Sequence, residues 1–455
     1  MIGLAKSIFK GVSRKKTAVF DSFGEKDGQG VFRSSSHRNC DFRDGTLKGG
    51  VGLALYLDKN GAPVSYSMQV EPKCVYVVTI NPGDGLGDEE RYTFLGVDGY
   101  LYTLNPSLGT AIQVSAKLGE DVSHCVLKNE ANAIQHLFSS TTGAYLTLEV
   151  AIFKQLSTQA LRGGCVCGKR YFLALENGEL HYCAPFNPQT ENSADPNGTG
   201  VLYLPAECGA VIGLKEDGGA VYIFFERGIF RLEVSAKASD FVMKRVAYAG
   251  GALCQGSMAA TGKGILFLAS DGLYRVYGEN TEKVCEHLHI GACDTRSLCK
   301  VGYCGELVLI EYQKKTAGGN EMVRVAIQAD GRDGYFTEAF GLLCGNEYSA
   351  HDGWIYRYVE DAESTLRGSN PYFTSERLDF GTEKQKRMKK LLLKGKGRVR
   401  VGVCCDGRLR EYTLELDGGA GGIRLTEKGK DFIFTLYPSI GAVVEGIEIS
   451  YCTEG

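Results

Sequence analysis

Phe267-Leu-Ala-Ser-Asp-Gly-Leu-Tyr-Arg-Val276 reads as two apolar-aromatic strands joined by a tight Asp-Gly turn. Asp-Gly and Asn-Gly suit a type I′ hairpin, in which both central residues take positive φ. The same unit recurs along the chain. It is present at Phe94-Leu-Gly-Val-Asp-Gly-Tyr-Leu-Tyr-Thr-Leu104 and Phe172-Leu-Ala-Leu-Glu-Asn-Gly-Glu-Leu-His-Tyr182. It returns at Phe224-Phe-Glu-Arg-Gly-Ile-Phe-Arg-Leu232 and Ala350-His-Asp-Gly-Trp-Ile-Tyr-Arg-Tyr358. The turn glycines are Gly99, Gly178, Gly228, Gly272 and Gly353, and further turns at Gly143 and Gly318-Gly319 divide the two long gaps. A repeat of roughly 40–50 residues with about four strands per unit is the spacing of propeller blades. The reading is therefore all-β: an irregular six- or seven-bladed β-propeller. The Trp-Asp signature of one common propeller class is absent, and the chain has a single Trp.

Outward from these hairpins the strand signal continues. Val75–Ile80, Tyr171–Leu175, Val221–Phe225, Ile265–Leu268 and Leu307–Tyr312 are β-branched or aromatic runs of strand length. Helical periodicity is confined to two short candidates, Ile2–Val12 and Asn129–Phe138. A polar stretch at Asp361–Asn370 marks a boundary, after which Arg398-Val-Arg-Val-Gly-Val403, Tyr412–Leu416, Asp431–Leu436 and Val444–Tyr451 alternate with period two. This predicts a propeller over 1–365, with a short N-terminal segment, and a β-sandwich over 370–455.

Composition excludes several classes. Gly supplies 60 of 455 residues, well above the usual ~7%, but Pro is only 10 and no G-X-Y period accompanies it, so the chain is not collagenous. A hydrophobic content of 44% excludes a mainly disordered chain. The formal net charge of −3 confines any nucleic-acid contact to a local patch. The sixteen Cys are irregularly spaced and no secretory pattern precedes them, which points to a reducing compartment and free thiols. No apolar run reaches the ~20 residues of a membrane span.

Catalytic signatures are missing. No Gly-x-Ser-x-Gly, P-loop or His-Glu-x-x-His occurs, and Ser349-Ala-His-Asp-Gly-Trp354 departs from the Asp-box turn of sialidase propellers. The best metal candidate is Cys285, His287, His289 and Cys293. On a strand the first three share a face, but side chains two residues apart stand ~7 Å apart, too far for one ion. The expectation is a half-buried strand with satisfied histidines, and no catalytic residue, metal or cofactor is assigned. The sharpest charge feature is a basic run: Lys384, Lys386, Arg387, Lys389, Lys390, Lys394, Lys396, Arg398 and Arg400 are nine cations in seventeen residues. They suit a subunit interface or a DNA-proximal patch, against the plain alternative of an edge-protecting face.

Several segments together are similar to one family. These are Arg38-Asn-Cys-Asp-Phe-Arg-Asp-Gly-Thr-Leu47, Leu180-His-Tyr-Cys-Ala-Pro-Phe-Asn-Pro188, Val211-Ile-Gly-Leu-Lys215, the hairpins at 221–232 and 265–274, and Ser375-Glu-Arg-Leu-Asp-Phe-Gly-Thr382 leading into Lys386-Arg387. In this order the chain resembles the β-propeller tail nozzle, or packaged-DNA stabilisation, proteins of short-tailed bacteriophages. Cys183 stands where that pattern more often has Ser. The resemblance implies a non-enzymatic virion protein, made in the host bacterial cytoplasm and located in the tail. It implies a homo-oligomer, usually a hexameric ring, meeting portal, adaptor and other tail proteins and touching passing genomic DNA weakly, without a membrane partner. The rival expectation is a propeller that binds glycans or a host surface through exposed aromatics. A propeller glycosidase would need a central carboxylate pair, and none can be named from the sequence.

Overall fold

The middle strands of the repeats show why the chain folds as it does. Ala220–Phe225 is buried at every position. Its even-numbered residues Ala220, Tyr222 and Phe224 pack with Ile265, Phe267 and Ala269 of the next repeat. Its odd-numbered residues Val221, Ile223 and Phe225 pack with Phe172 and Ala174 of the preceding one. A strand whose two faces both meet a neighbouring sheet has no polar face, so its sequence is a continuous apolar run. The third and fourth strands lie farther out, and no residue of Val242–Arg245 is buried.

The structure is a computed structural model, described over residues 15–24, 31–66, 70–80, 89–105, 110–119, 122–129, 133–149, 152–157, 159–187, 198–338, 346–367 and 369–454. It holds a seven-bladed β-propeller and a strongly curled mixed sheet, a half-barrel. The compact units are residues 53–334 with 341–358, the propeller, and residues 1–52, 335–340 and 359–455, the half-barrel.

Blade 1 comprises Pro72–Ile80, Glu89–Gly96, Leu101–Asn105 and Thr110–Gln113, and blade 2 Ser123–Lys128, Ile134–Ser140, Gly143–Glu149 and Ile152–Ser157. Blade 3 is Leu161–Cys167, Arg170–Leu175, Glu179–Tyr182 and Gly200–Tyr203, and blade 4 Val211–Asp217, Ala220–Phe225, Gly228–Glu233 and Val242–Arg245. Blade 5 is Ala259–Ala260, Ile265–Ala269, Gly272–Tyr277 and Asn280–Lys283. Blade 6 has Lys300–Cys304, Leu307–Thr316, Gly319–Gln328 and a short fourth strand beginning at Gly334. Blade 7 is built from both ends of the unit: Tyr348–His351 and Trp354–Val359 are joined by Gly52–Leu55. Tyr56 N–H donates to the Ile355 carbonyl, and Ile355 N–H to the Val64 carbonyl, at 2.9 and 3.0 Å. Val64, Tyr66 and Ile355 then pack on Val75, Tyr92 and Phe94 of blade 1. Closure therefore removes the exposed sheet faces that an open array would leave.

The seven repeated turns fall one per blade, and their geometry is more varied than the dipeptides suggest. Both turn residues have positive φ at Asp352-Gly353, +47° and +82°, as type I′ requires. At Val97-Asp98-Gly99 only the glycine does, and Gly99 N–H bonds the Gly96 carbonyl while Gly96 N–H bonds the Tyr100 carbonyl. That is a three-residue loop with a left-handed glycine, the next commonest hairpin connection.

The helix expected over Asn129–Phe138 is instead the strand Ile134–Ser140. Leu137 packs toward blade 3 and Phe138 toward blade 1, and only strand alternation sends adjacent residues to opposite neighbours. The segment Ile2–Val12 lies outside the described residues.

The half-barrel is one sheet rather than two packed ones. Its path takes in Ser22–Gly24, Val31–Arg38, Tyr372–Ser375, Phe432–Pro438, Lys386–Cys405, Val443–Thr453, Leu47–Gly49 and Cys40–Asp41, in that order. Lys15–Phe20 pairs antiparallel with the last strand, from Lys15 opposite Cys452 to Phe20 opposite Ile447. The unit thus combines residues before Gly52 with those after Val359, which a linear division at 365–370 separates. The N-terminal strands bring Phe23 and Phe32 onto Phe373 and Phe434, apolar surface the C-terminal strands alone leave open.

Candidate functional site

In a propeller the innermost strands stand side by side around the axis, where space is shortest. Here glycine and serine make that possible. A Cβ on Gly164 would lie 2.5 Å from Ser139 Oγ of blade 2, and one on Gly163 would lie 3.0 Å from Leu214 N of blade 4. Gly213 similarly faces Met258 Cε, and Gly256 the Cys299 carbonyl oxygen. The inner strands enclose an axial cavity of about 540 Å³ to which all seven blades contribute. This lies in the range of small-molecule sites, ~300–1,000 Å³.

The wall carries Lys73, Arg162, Lys215 and Lys300, from blades 1, 3, 4 and 6, against the carboxylates Glu71 and Asp352. Lys73 and Arg162 stand at one-residue irregularities between Pro72 and Cys74 and between Leu161 and Gly163, at the start of their strands. Lys300 opens its strand, opposite Glu311, and Lys215 lies further along its own, opposite Tyr222. Arg162 is paired with Glu176. Lys300 Nζ is 3.9 Å from Glu311, whose other oxygen takes Arg324 Nε at 2.6 Å. Asp352 meets His351 at 3.1 Å.

A histidine pair borders the same cavity. His124 Nε2 and His136 Nδ1 are 2.9 Å apart, and His136 Nε2 is 3.0 Å from the Thr79 carbonyl oxygen. A carbonyl only accepts, so His136 carries its proton on Nε2 and its Nδ1 accepts from His124 Nε2–H. His124 Nδ1 is then left unprotonated. Burial first, and the neighbouring His136 second, takes His124 down to about 3, so both rings are neutral near pH 7. None of these residues was singled out by sequence motif. The only signal was a pair of short runs, Arg162-Gly-Gly-Cys165 and Ile212-Gly-Leu-Lys215, in which a cation lies within two residues of a glycine in an inner strand.

The basic run lies elsewhere, on and just before Lys386–Cys405 of the half-barrel. It does not act as one patch. Lys386 is 0% exposed and its Nζ donates to the Lys430 carbonyl. Arg398 pairs with Glu415, and Arg400 with Glu411 at 3.2 Å. Arg387 lies 3.6 Å from Glu454. Lys384, Lys389, Lys390, Lys394 and Lys396 are exposed. Burying Lys386 follows from alternation: it shares the inward face with Met388, and a register shift between Met388 and Lys390 leaves both Lys389 and Lys390 outside.

The cysteine–histidine segment is not a strand. Glu286–Leu288 forms a 3₁₀ turn flanked by Cys285 and His289 in the left-handed region. Cys285 Sγ donates to the Gly331 carbonyl at 3.3 Å and His287 meets Asp333 at 3.1 Å, while Cys293 pairs across to Lys314. Among the described residues no three His, Cys, Asp or Glu side chains are grouped to hold a metal ion.

No family model matches the chain, and no curated protein matches it by sequence. Solved structures do, at low similarity. Dihydro-heme d1 dehydrogenase NirN is 10% identical, over 83% of this chain and 79% of its own, with a TM-score of 0.36. BBS1N in complex with ARL6DN is 10% identical over 67% and 96%, with a TM-score of 0.38. Sqt1 from Chaetomium thermophilum is 10% identical over 60% and 81%, with a TM-score of 0.39. The propeller and its blade count rest on the sheet topology of this chain.

Proposed function

We propose that this chain is a structural part of a phage tail, one subunit of a ring or nozzle below the portal that retains and conducts the genome. The ordered set of segments resembling tail nozzle proteins supports this reading. The observation that carries it is the outer row of Lys389, Lys390, Lys394 and Lys396 along a 20-residue strand of the half-barrel, exposed over its length. Such a row suits an acidic face of a neighbouring subunit or passing DNA. The most exposed tyrosines, Tyr203 at 80% and Tyr277 at 69%, stand on blades 3 and 5, which are not adjacent. With Trp354 on blade 7, the exposed aromatics are dispersed over separate blades rather than gathered in one patch, which favours the ring over the glycan-binding alternative.

The test is assembly. Purified chain is expected to form closed rings in negative-stain images and a discrete oligomer by mass photometry. Replacing Lys389, Lys390, Lys394 and Lys396 together by Gln should shift the population toward monomer, and antibody to the chain should label the tails of tailed particles from its host. A monomer at all concentrations, or label absent from particles, overturns the proposal. Unchanged rings in the fourfold variant remove the lysine row from the interface.

A further inference from the structure

Ring assembly does not require the propeller's own axis to carry charge, yet it does. We propose that the axial cavity is a binding site for a small polyphosphorylated anion, its phosphate oxygens held by Lys215 within and by Lys73, Arg162 and Lys300 nearer the strand starts.

Four observations converge on this. The cavity is of ligand size, about 540 Å³. Its cations come from four different blades, so they line one half-open cavity rather than spreading along a single sheet face. Lys215 makes no ion pair among the described residues, although it is only partly exposed on the cavity wall. A half-buried ammonium without a counter-ion is costly unless an anion is supplied. Lys300 has Glu311 as a distant partner at 3.9 Å, but Arg324 holds that carboxylate more closely at 2.6 Å, so the cluster keeps a net positive charge.

The opposing charges do not cancel this. Glu71 and Asp352 are exposed, and Asp352 is engaged by His351. Glu176 offsets Arg162. The wall itself carries four cations against Glu71 and Asp352, and the partners Glu176, Glu311 and Arg324 leave the sum over these groups positive. Cations at two depths along the strands suit a ligand with more than one phosphate group better than a single anion. Neutral His124, which also lines the cavity, offers an acceptor nitrogen to a ligand hydroxyl rather than a further positive charge. In a partly dehydrated cavity each ammonium–phosphate contact is stronger than on an open surface.

The experiment is calorimetric titration of the purified full chain with inorganic tripolyphosphate at about 0.15 M salt, where surface charge is largely screened. Citrate serves as the polycarboxylate comparison. Wild type is expected to bind one tripolyphosphate per chain and to melt at a higher temperature in its presence. Lys215→Gln and Lys300→Gln should each weaken binding at least tenfold, while Lys215→Arg should retain it. Lys263→Gln, an exposed turn lysine outside both the cavity and the lysine row, should leave it unchanged. The proposal is overturned by absence of both heat and melting shift in the wild type, by wild-type affinity in a folded Lys215→Gln, Lys300→Gln double variant, or by equal loss in Lys263→Gln. Tighter binding of citrate than of tripolyphosphate overturns the phosphate assignment. None of these readouts depends on ring formation, so failure here and failure of the tail assignment are separable.

Discussion

Arg170 Nη2 donates to the main-chain carbonyl of Ala236 across 3.0 Å, tying the second strand of blade 3 to the loop that follows the third strand of blade 4. The same guanidinium donates from Nη1 to the carbonyls of Cys183 and Gly198 at 2.7 and 3.0 Å, and lies 5.7 Å from the ring centroids of both Tyr182 and Phe241, which contact each other. Its residue is 0% exposed. Carbonyl dipoles and aromatic faces stabilise the cation here, as hydrogen bonds to a charged donor do elsewhere. Arg170→Met keeps much of the volume and loses these bonds, leaving the buried Cys183 and Gly198 carbonyls unsatisfied. We expect a loss of roughly 3–5 kcal/mol in urea unfolding of the propeller. A change below about 1 kcal/mol would mean that water replaces the guanidinium.

The histidine pair sets an acid limit. His124 titrates at about 3 in the folded chain against 6.5 as its ordinary value. The unfolded chain therefore takes up a proton as pH falls below 6.5 while the folded chain resists until about 3. Protons bound by the unfolded state exceed those of the folded state in that window, so stability falls as pH drops through it and is level above it. Depression of His136 adds in the same direction. Melting temperature measured from pH 8 to pH 4 is expected to be flat at first and to fall below 6.5. In His124→Gln with His136→Phe the slope should be shallower; an identical slope would place the acid sensitivity elsewhere.

Gly395 bends the half-barrel. Its φ is +139°, and a Cβ there would run into the Val443 carbonyl oxygen of the adjoining strand. Pairing registers shift beside it toward both neighbours, between Lys394 and Gly395 on one side and Gly395 and Lys396 on the other. Irregularities and glycines of this kind are how a long strand curls. Gly395→Ala is expected to cost about 3 kcal/mol or more, since both strain and a backbone clash oppose it. Gly419→Ala, on the pairing strand with open space around it, should cost less than about 1 kcal/mol. Denaturant midpoints of the two variants compare them directly.

Lys386 and Lys390, four residues apart in one basic run, have opposite roles. Lys386 is buried on its bond to the Lys430 carbonyl; Lys390 is exposed. Lys386→Ala should destabilise by about 2–3 kcal/mol through lost packing of its buried stem and a lost charge-assisted hydrogen bond. Lys390→Ala should stay within about 0.5 kcal/mol. Similar unfolding midpoints for the two would refute the assignment of faces.

What could be read from the chain alone was local. Hairpin turns at Gly99, Gly143, Gly178, Gly228, Gly272, Gly319 and Gly353 mark one blade each, because the residue that can take a left-handed or sharply turned backbone is chosen at the turn itself. Runs such as Val221–Phe225 announce strands buried on both faces for the same reason: each side chain records its own burial. The candidate site was not legible in this way. Lys73, Arg162, Lys215 and Lys300 are far apart in the sequence, and only closure of seven blades around an axis brings them to one wall. Nor could alternation show that Lys15–Phe20 completes the sheet of Val443–Thr453, since a strand edge carries no label for its partner. Within the basic run, a single register shift beside Lys389 decided which lysines face water. Turn and strand identity follow from short-range sterics and were set by the sequence; which strands pair, which charges meet and which face is buried are long-range outcomes that only the folded chain decided.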